Sequence, residues 1–156
     1  MESGRMAYEF RYTRQVEFSD TDMAGIVHFA NFFRFMEAAE HAFYLSLGLS
    51  VHTLVAGRVV SWPRVQAECR FRHPLRFEDL VEIHLLVREK KQKSIRYEFI
   101  FRKLNEEPVR EIARGSITIV CAGKEGPDKP FKAMAMPEEI SRLIEPAPEE
   151  VLAALQ

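Results

Sequence analysis

Two aspartates, Asp20 and Asp22, stand two residues apart in the stretch Val16 to Glu40, VEFSDTDMAGIVHFANFFRFMEAAE, just ahead of a segment patterned as a helix. A carboxylate so placed can serve as a general base or as a nucleophile. The start of a helix leaves backbone N–H groups unpaired and partly positive, so it can hold an oxygen that turns negative during a reaction. Side by side, these are the two parts that hydrolysis of an ester or thioester needs. Aspartate is equally a capping residue for turns and helix starts. Strand alternation also sends positions two apart to the same side. Pattern alone therefore leaves open which of the two carboxylates reacts, and whether either does.

Other groups have weaker claims. His28 lies at the expected helix start, where an imidazole can orient a carbonyl or assist proton transfer, or it lines a pocket mouth without a role. Glu37 and His41 have the spacing of a metal-ligand pair, but no third ligand is placed beside them. A solvated charged stripe explains them, and no metal is expected. Arg88, Lys90, Lys91, Lys93 and Arg96 crowd into nine residues with Glu89 as the single acid. They read either as the solvated tip of a hairpin or as a site for phosphate groups. Cys69 and Cys121 sit within apolar runs, lack ligand spacing, and read as small core residues of a reducing compartment.

The elements that must position these groups follow from periodicity. Five segments alternate as half-buried strands do. Tyr8, Phe10, Tyr12, Val16 and Phe18 share one face, and Val65, Ala67, Cys69 and Phe71 another. The runs Val81 to Val87, Ile95 to Phe101 and Ile112 to Cys121 follow. One helix is expected from about His28 to Leu47, closed by Gly48. Phe32, Phe35, Met36, Ala39, Ala42 and Phe43 cover most of its wheel, which leaves Arg34, Glu37, Glu40 and His41 as a polar stripe. A helix apolar around that much of its circumference must be wrapped. The expected fold is α+β, with an antiparallel sheet of about five strands around one central helix. Pro63 marks an edge or a bulge. After Gly123 the chain leaves the sheet, and Pro137 to Gln156 reads as two short helical pieces split by Pro146 and Pro148. One domain is expected over residues 1–156, with a core at about 8–123 and a tail at 124–156.

The 156 residues carry a net charge of −1, 47% hydrophobic and 29% charged, the composition of an ordinary globular protein. No overall basic field favours nucleic acid, no stretch reaches the length of a membrane span, and Met1 to Phe10 lacks the apolar centre of a signal peptide. A cytoplasmic protein without membrane insertion is the expectation.

The order D-T-D-x-x-G-I-V-x-x-x-N followed by an aromatic-rich helix resembles the opening motif of the 4-hydroxybenzoyl-CoA thioesterase family, which includes the Tol-Pal-associated thioesterases. The match is sharp over Val16 to Ala39, unspecific over the strands and absent in the tail. The resemblance implies a hotdog fold and hydrolysis of an acyl-CoA to free acid and CoA. It places the catalytic carboxylate at Asp22 and the oxyanion donors at the backbone N–H groups of His28 and Phe29. Gly25, Ile26, Val27, Asn31 and Phe32 would then belong to the substrate pocket, and Arg88, Lys90, Lys91 and Lys93 to the CoA phosphates. No cofactor is implied, since coenzyme A is part of the substrate. Phe29 and Phe32 stand where many relatives carry tyrosine, and His28 where they carry tryptophan or tyrosine. A hotdog hydratase or dehydratase and a non-catalytic acyl-CoA-binding module are the rival readings. The unprotected edge of one curved sheet further predicts a homodimer or homotetramer.

Overall fold

The computed structural model describes residues 6–55 and 57–155. Part of the Met1 to Phe10 start and the final residue of the tail thus fall outside the described residues. Strand β1 (Glu9–Gln15) leads through a 3-10 turn (Phe18–Asp20) to helix α1 (Phe29–Ser46). Strands β2 (Thr53–Val55), β3 (Arg58–Ser61), β4 (Arg64–Phe71), β5 (Leu80–Lys90), β6 (Ser94–Lys103) and β7 (Arg110–Val120) follow. Two short strands, β8 (Ala122–Gly123) and β9 (Lys132–Ala133), precede helices α2 (Glu138–Ser141) and α3 (Glu149–Ala153).

The main sheet has the order β1-β5-β6-β7-β4, and every pairing is antiparallel. Its inner face, with Ile83, Leu85, Tyr97, Phe99, Phe101 and Ile117, closes over Phe32, Phe35, Met36, Ala39 and Phe43 of α1. All of these residues are buried, as the periodicity requires. Gly115 on β7 sets how close helix and sheet come. A Cβ there would overlap Met36 Sδ, so the thioether occupies the space a side chain would take. Gly48 closes the helix at φ 77°, the left-handed conformation its position predicts.

Three expectations needed correction. The small sheet β2-β3-β8-β9 was not anticipated, because strands of two to four residues show no period to read. Phe18 does not continue the inner face of β1. The strand ends at Gln15, and Phe18 stands exposed in the 3-10 turn. Glu40 does not belong to the polar stripe of α1. It is fully buried and gripped by both guanidinium nitrogens of Arg64, at 2.7 and 3.1 Å. Burial pushes its carboxyl pKa up, and Arg64 opposes that rise. The arginine that resolves this charge comes from another element, so helix periodicity could not show it.

Pro63 separates β3 from β4, and β4 forms one edge of the main sheet with a register shift between Arg64 and Gln66. The tail crosses the outer face. Val151, Leu152 and Leu155 pack with Leu86, Ile100 and Ala147. Among the described residues no helix is long and apolar enough to cross a membrane.

His84 lies buried on that outer face. Arg102 Nη1 donates to its Nδ1 at 3.2 Å, because a guanidinium can only donate. Nε2–H then donates to Glu9 Oε2 at 2.8 Å. Burial lowers the imidazole pKa below its ordinary 6.5; the bond to Glu9 works against this, while Arg11 and Arg102 add to the lowering. The unfolded chain therefore binds this proton at a higher pH than the folded one. His84 supports stability fully above pH 6.5, and that support is lost as pH falls from 6.5 through the lowered folded value. Thermal unfolding between pH 8 and 5 should show this slope, no steeper than about 1.4 kcal/mol per pH unit, and His84→Gln should flatten it.

Candidate active site

The loop after β1 is built around Asp20. Its carboxylate Oδ2 accepts from the Glu17 backbone N–H at 2.8 Å and from Arg14 Nη2 at 3.0 Å. Arg14 points inward from β1 and lies 4.4 Å above the Phe35 ring. The Asp20 carbonyl accepts from His28 N–H at 2.9 Å and from the Asn31 side-chain amide at 2.8 Å. Both faces of this residue thus fasten the strand end to the start of α1. Asp20 is the capping carboxylate.

Asp22 begins a tighter turn. Its N–H donates to the Ile26 carbonyl and its carbonyl accepts from Gly25 N–H, with Gly25 at φ 79°. A bridge between Thr21 and Val27 closes the loop, and Val27 N–H donates to the Leu75 carbonyl at 2.8 Å. The side-chain Oδ1 accepts from Ala24 N–H at 2.8 Å, which fixes the carboxyl plane while Asp22 stays exposed. This carboxylate is oriented and accessible, as a base or nucleophile must be.

Asp22 lines a cleft of about 430 Å³ with Ile26, Val27, Phe29, Phe32, Phe71, Arg72, His73, Pro74 and Leu75. Phe32 forms its floor, packed edge to face on Phe71 with ring centroids 5.0 Å apart. The expected pocket residues Ile26, Val27 and Phe32 meet here, and Gly25 lies on the other side of the loop. Asn31 does not join them. Its amide is spent on the Asp20 carbonyl, so it holds the loop instead of lining the cleft.

The two expected oxyanion donors part company. His28 N–H is already bonded to Asp20 and has no proton left to offer. The Phe29 N–H, at the first position of α1, has no acceptor among the described residues and belongs to a residue lining the cleft. His28 is the helix cap, with its Nδ1 3.3 Å from Ala30 N and its ring 4.8 Å from that of Phe29. Glu37 lies 3.8 Å from Arg64, as part of a charged surface.

The basic hairpin sits elsewhere. It joins β5 to β6, whereas the Asp22 loop is bonded to the start of β5 through Val16 and Asp79. The length of β5 separates them, roughly 33 Å at about 3.3 Å per residue. Lys90 is not free for phosphate. Its ammonium donates to the carbonyls of Ser141 and Ile144, at 2.6 and 2.8 Å, and fastens the tail. Arg88 is paired with Glu98 at 2.9 Å. Lys91 and Lys93 are exposed, with Glu89 3.4 Å from Lys91.

A family model described as the thioesterase-like superfamily matches residues 16–155. The chain belongs to that superfamily. It is 29% identical to a putative esterase of Aquifex aeolicus (strain VF5) over 135 residues, 86% of this chain and 97% of the other. It is 31% identical to the 4-hydroxybenzoyl-CoA thioesterase of Pseudomonas sp. (strain CBS-3) over 91 residues, 57% of this chain and 64% of the other. The solved structure of a gentisyl-coenzyme A thioesterase superposes with a TM-score of 0.71 at 33% identity, covering 85% of this chain and 99% of that one. A 1,4-dihydroxy-2-naphthoyl-CoA thioesterase from Synechocystis gives 0.76 at 24% identity, which speaks to the fold alone. The protein is a thioester hydrolase with the hotdog fold.

In this thioesterase both cysteines are poor nucleophiles. Burial pushes the Cys69 thiol up to about 12 and the Cys121 thiol to about 11, so neither is a thiolate at neutral pH. Arg14 is the site-supporting residue that sequence reading missed. An arginine on the inner face of a strand was the available signal, since such a charge needs a buried partner. Asp20→Asn removes the charge from the bonds to Arg14 and Glu17, and is expected to cost about 1–2 kcal/mol of stability. Thermal unfolding should register this cost, while turnover falls far less than for the same change at Asp22.

Proposed function

We propose that this thioesterase hydrolyses an acyl-CoA to the free acid and CoA, with Asp22 as the reacting carboxylate and the Phe29 N–H as oxyanion donor. The observation that carries the reading is one cleft lined by an oriented, exposed carboxylate and by the residue whose helix-start amide is unclaimed. Asp22 takes a proton from water as it adds to the thioester carbon, or adds itself to give a mixed anhydride that water then opens. Either way negative charge develops on the carbonyl oxygen, where a pre-placed N–H is most effective. As that oxyanion collapses the C–S bond breaks and the CoA thiolate leaves, taking up the proton held by Asp22 in the first route and departing before water opens the anhydride in the second. The names of the relatives, 4-hydroxybenzoyl-CoA thioesterase and 1,4-dihydroxy-2-naphthoyl-CoA hydrolase, support CoA as the carrier.

The same proposal calls for a dimer. Strand β4 ends the sheet with Val65 and Phe71 exposed, beside exposed Phe29 at the helix start. An unpaired apolar edge is stabilised by a second copy across a two-fold axis, and such pairing is antiparallel. The Arg64 end of one β4 then runs beside the Phe71 end of the other. In the sheet, Arg64 is level with Ile119 and Ile95, at the hairpin end. Phe71 lines the Asp22 cleft. Lys91 and Lys93 would therefore serve the CoA phosphates in the partner's site, which removes the obstacle of their distance within one chain. Cytoplasmic location follows from the expected substrate and remains part of the proposal.

Asp22→Asn should lower kcat by about a hundredfold or more, the range of a lost general base, and leave acyl-CoA binding in place. Full activity in this variant would remove Asp22 from the mechanism. Replacing Lys91 and Lys93 together by alanine should raise KM with kcat nearly unchanged. Mixing the two inactive or weakened chains then tests the shared site. Random pairing should restore roughly a quarter of wild-type sites if carboxylate and lysines come from different copies. No recovery, or a sedimentation profile showing monomer alone, would sink the two-fold arrangement.

A further inference from the structure

The inner face of the main sheet encloses α1, and the tail covers part of the outer face. Alternation sends Arg96 and Glu98 of β6 to that outer face, opposite the buried Tyr97 and Phe99. A hollow of about 200 Å³ lies there, with no tail residue in its lining. Ser116 on β7 is its buried floor, and the register places it level with Glu68 on β4 and Glu98 on β6. A short side chain between long ones leaves the space. Four arginines surround it, Arg70 from β4, Arg88 from β5, Arg96 from β6 and Arg114 from β7.

The chain's own acids do not answer all of these guanidiniums. Glu98 pairs with Arg88 at 2.9 Å and lies 3.6 Å from Arg114. Arg114 also reaches Glu111, which Arg72 shares. Arg96 Nε donates to Ser116 Oγ at 3.3 Å, and Glu89, level with Arg96, turns to Lys91 at 3.4 Å. Arg70 has no ion-pair partner among the described residues and lies directly opposite Arg114 in the register. Like charges so placed in a sheet are destabilising. The four guanidiniums meet two carboxylates, Glu68 and Glu98, so the lining carries a surplus of two positive charges. Arginine cannot shed its charge to relieve this.

We infer that this hollow binds a phosphate dianion, either the free ion or the phosphate group of a monoester, at a site separate from the Asp22 cleft. A doubly charged oxyanion cancels the surplus and sets an acceptor between Arg70 and Arg114. Guanidiniums from four strands line one hollow, and a tetrahedral oxyanion accepts from several directions, whereas a planar carboxylate is met by one or two forks. Ser116 Oγ accepts from Arg96 and keeps its own O–H to donate. The volume is several times the roughly 30 Å³ of one water, which is room for a phosphate group. Strands position all four arginines, so little ordering is left to binding. Arg88 and Arg96 belong to the basic run that suggests phosphate in the sequence, and the fold turns them to this face. The inference does not depend on which carboxylate reacts.

Calorimetric titration of the whole chain with sodium phosphate, at pH 8 and fixed ionic strength, is the test. Wild type should bind one phosphate per chain. Arg70→Gln and Arg96→Gln should each weaken binding about tenfold or more, the worth of a charge-assisted hydrogen bond. Without phosphate, Arg70→Gln should unfold at a temperature no lower than wild type, because it relieves the pairing with Arg114. Lost binding in that variant is then not lost fold, and its kcat and KM for an acyl-CoA should stay within about twofold. Replacing Lys91 and Lys93 by alanine should leave phosphate binding intact. AMP as a second titrant separates the sources: tighter AMP binding assigns the hollow to a monoester, tighter phosphate binding to the free ion. No binding by wild type, full binding by both arginine variants, or loss of binding in the lysine variant would overturn the inference. So would a KM for acyl-CoA that rises in Arg70→Gln as phosphate binding falls, which would give the hollow to the phosphates of CoA.

Discussion

Everything in this fold answers to one constraint, the enclosure of a helix that is apolar around most of its circumference. An 18-residue helix with Phe32, Phe35, Met36, Ala39 and Phe43 facing inward cannot rest on a flat surface. The sheet has to curve around it, and curvature is natural to twisted antiparallel strands. Close approach then becomes the limiting quantity. The Met36 thioether lies where a side chain at position 115 would be, and β7 carries glycine there. The charge that α1 carries inward at Glu40 is tolerable only because Arg64 answers it with two hydrogen bonds. Removing one partner of such a pair typically costs about 3–5 kcal/mol, so the helix is locked in rotation as well as in position.

A helix swallowed by a sheet still has to show its ends. The N-terminal end of α1 reaches the rim, where the first amides have no helical acceptor. Asp20 takes one of them, that of His28, and with Asn31 it clamps the rim closed. The next amide, on Phe29, has no acceptor among the described residues and, on the proposed reading, is left for the substrate. The functional geometry is therefore a remainder. What the cap does not satisfy is what chemistry can use, and this explains why a carboxylate that binds structure and a carboxylate that faces the cleft lie two residues apart.

The sequence made the strands and the helix legible because inward and outward positions alternate cleanly along Val81 to Val87 and Ile95 to Phe101, and because His28 and Gly48 bracket one amphipathic run. The motif around Asp22 was legible through its resemblance to a family. What escaped was every role decided by a partner distant in sequence. Asn31 looked like a pocket residue because its position in the motif is near the cleft, but its amide turns to Asp20. Lys90 looked like a phosphate ligand because it sits in a basic run, but its ammonium reaches carbonyls some fifty residues on, at Ser141 and Ile144. Arg14 and Glu40 are the reverse case. Glu40 read as part of a polar stripe and Arg14 was passed over, and both are held by groups that only the folded chain brings near.

These long-range pairings also bear on why the β4 edge stays open. Sheets usually protect an edge with charge, a bulge or a covering element. The tail could have provided such cover, and it does cover part of the outer face, with Lys90 fastening it over β1, β5 and β6. Among the described residues nothing comparable crosses β4, where Val65 and Phe71 are exposed to solvent. The covering element of the chain lies over β1, β5 and β6 instead. On the proposed reading this distribution is coherent. The edge beside Asp22 must then accept a second copy, because the exposed Lys91 and Lys93 lie at the far end of the same chain's sheet. A monomer that sealed β4 would be the more stable single copy, with the proposed carboxylate and oxyanion donor in place and Lys91 and Lys93 at the far end of the sheet.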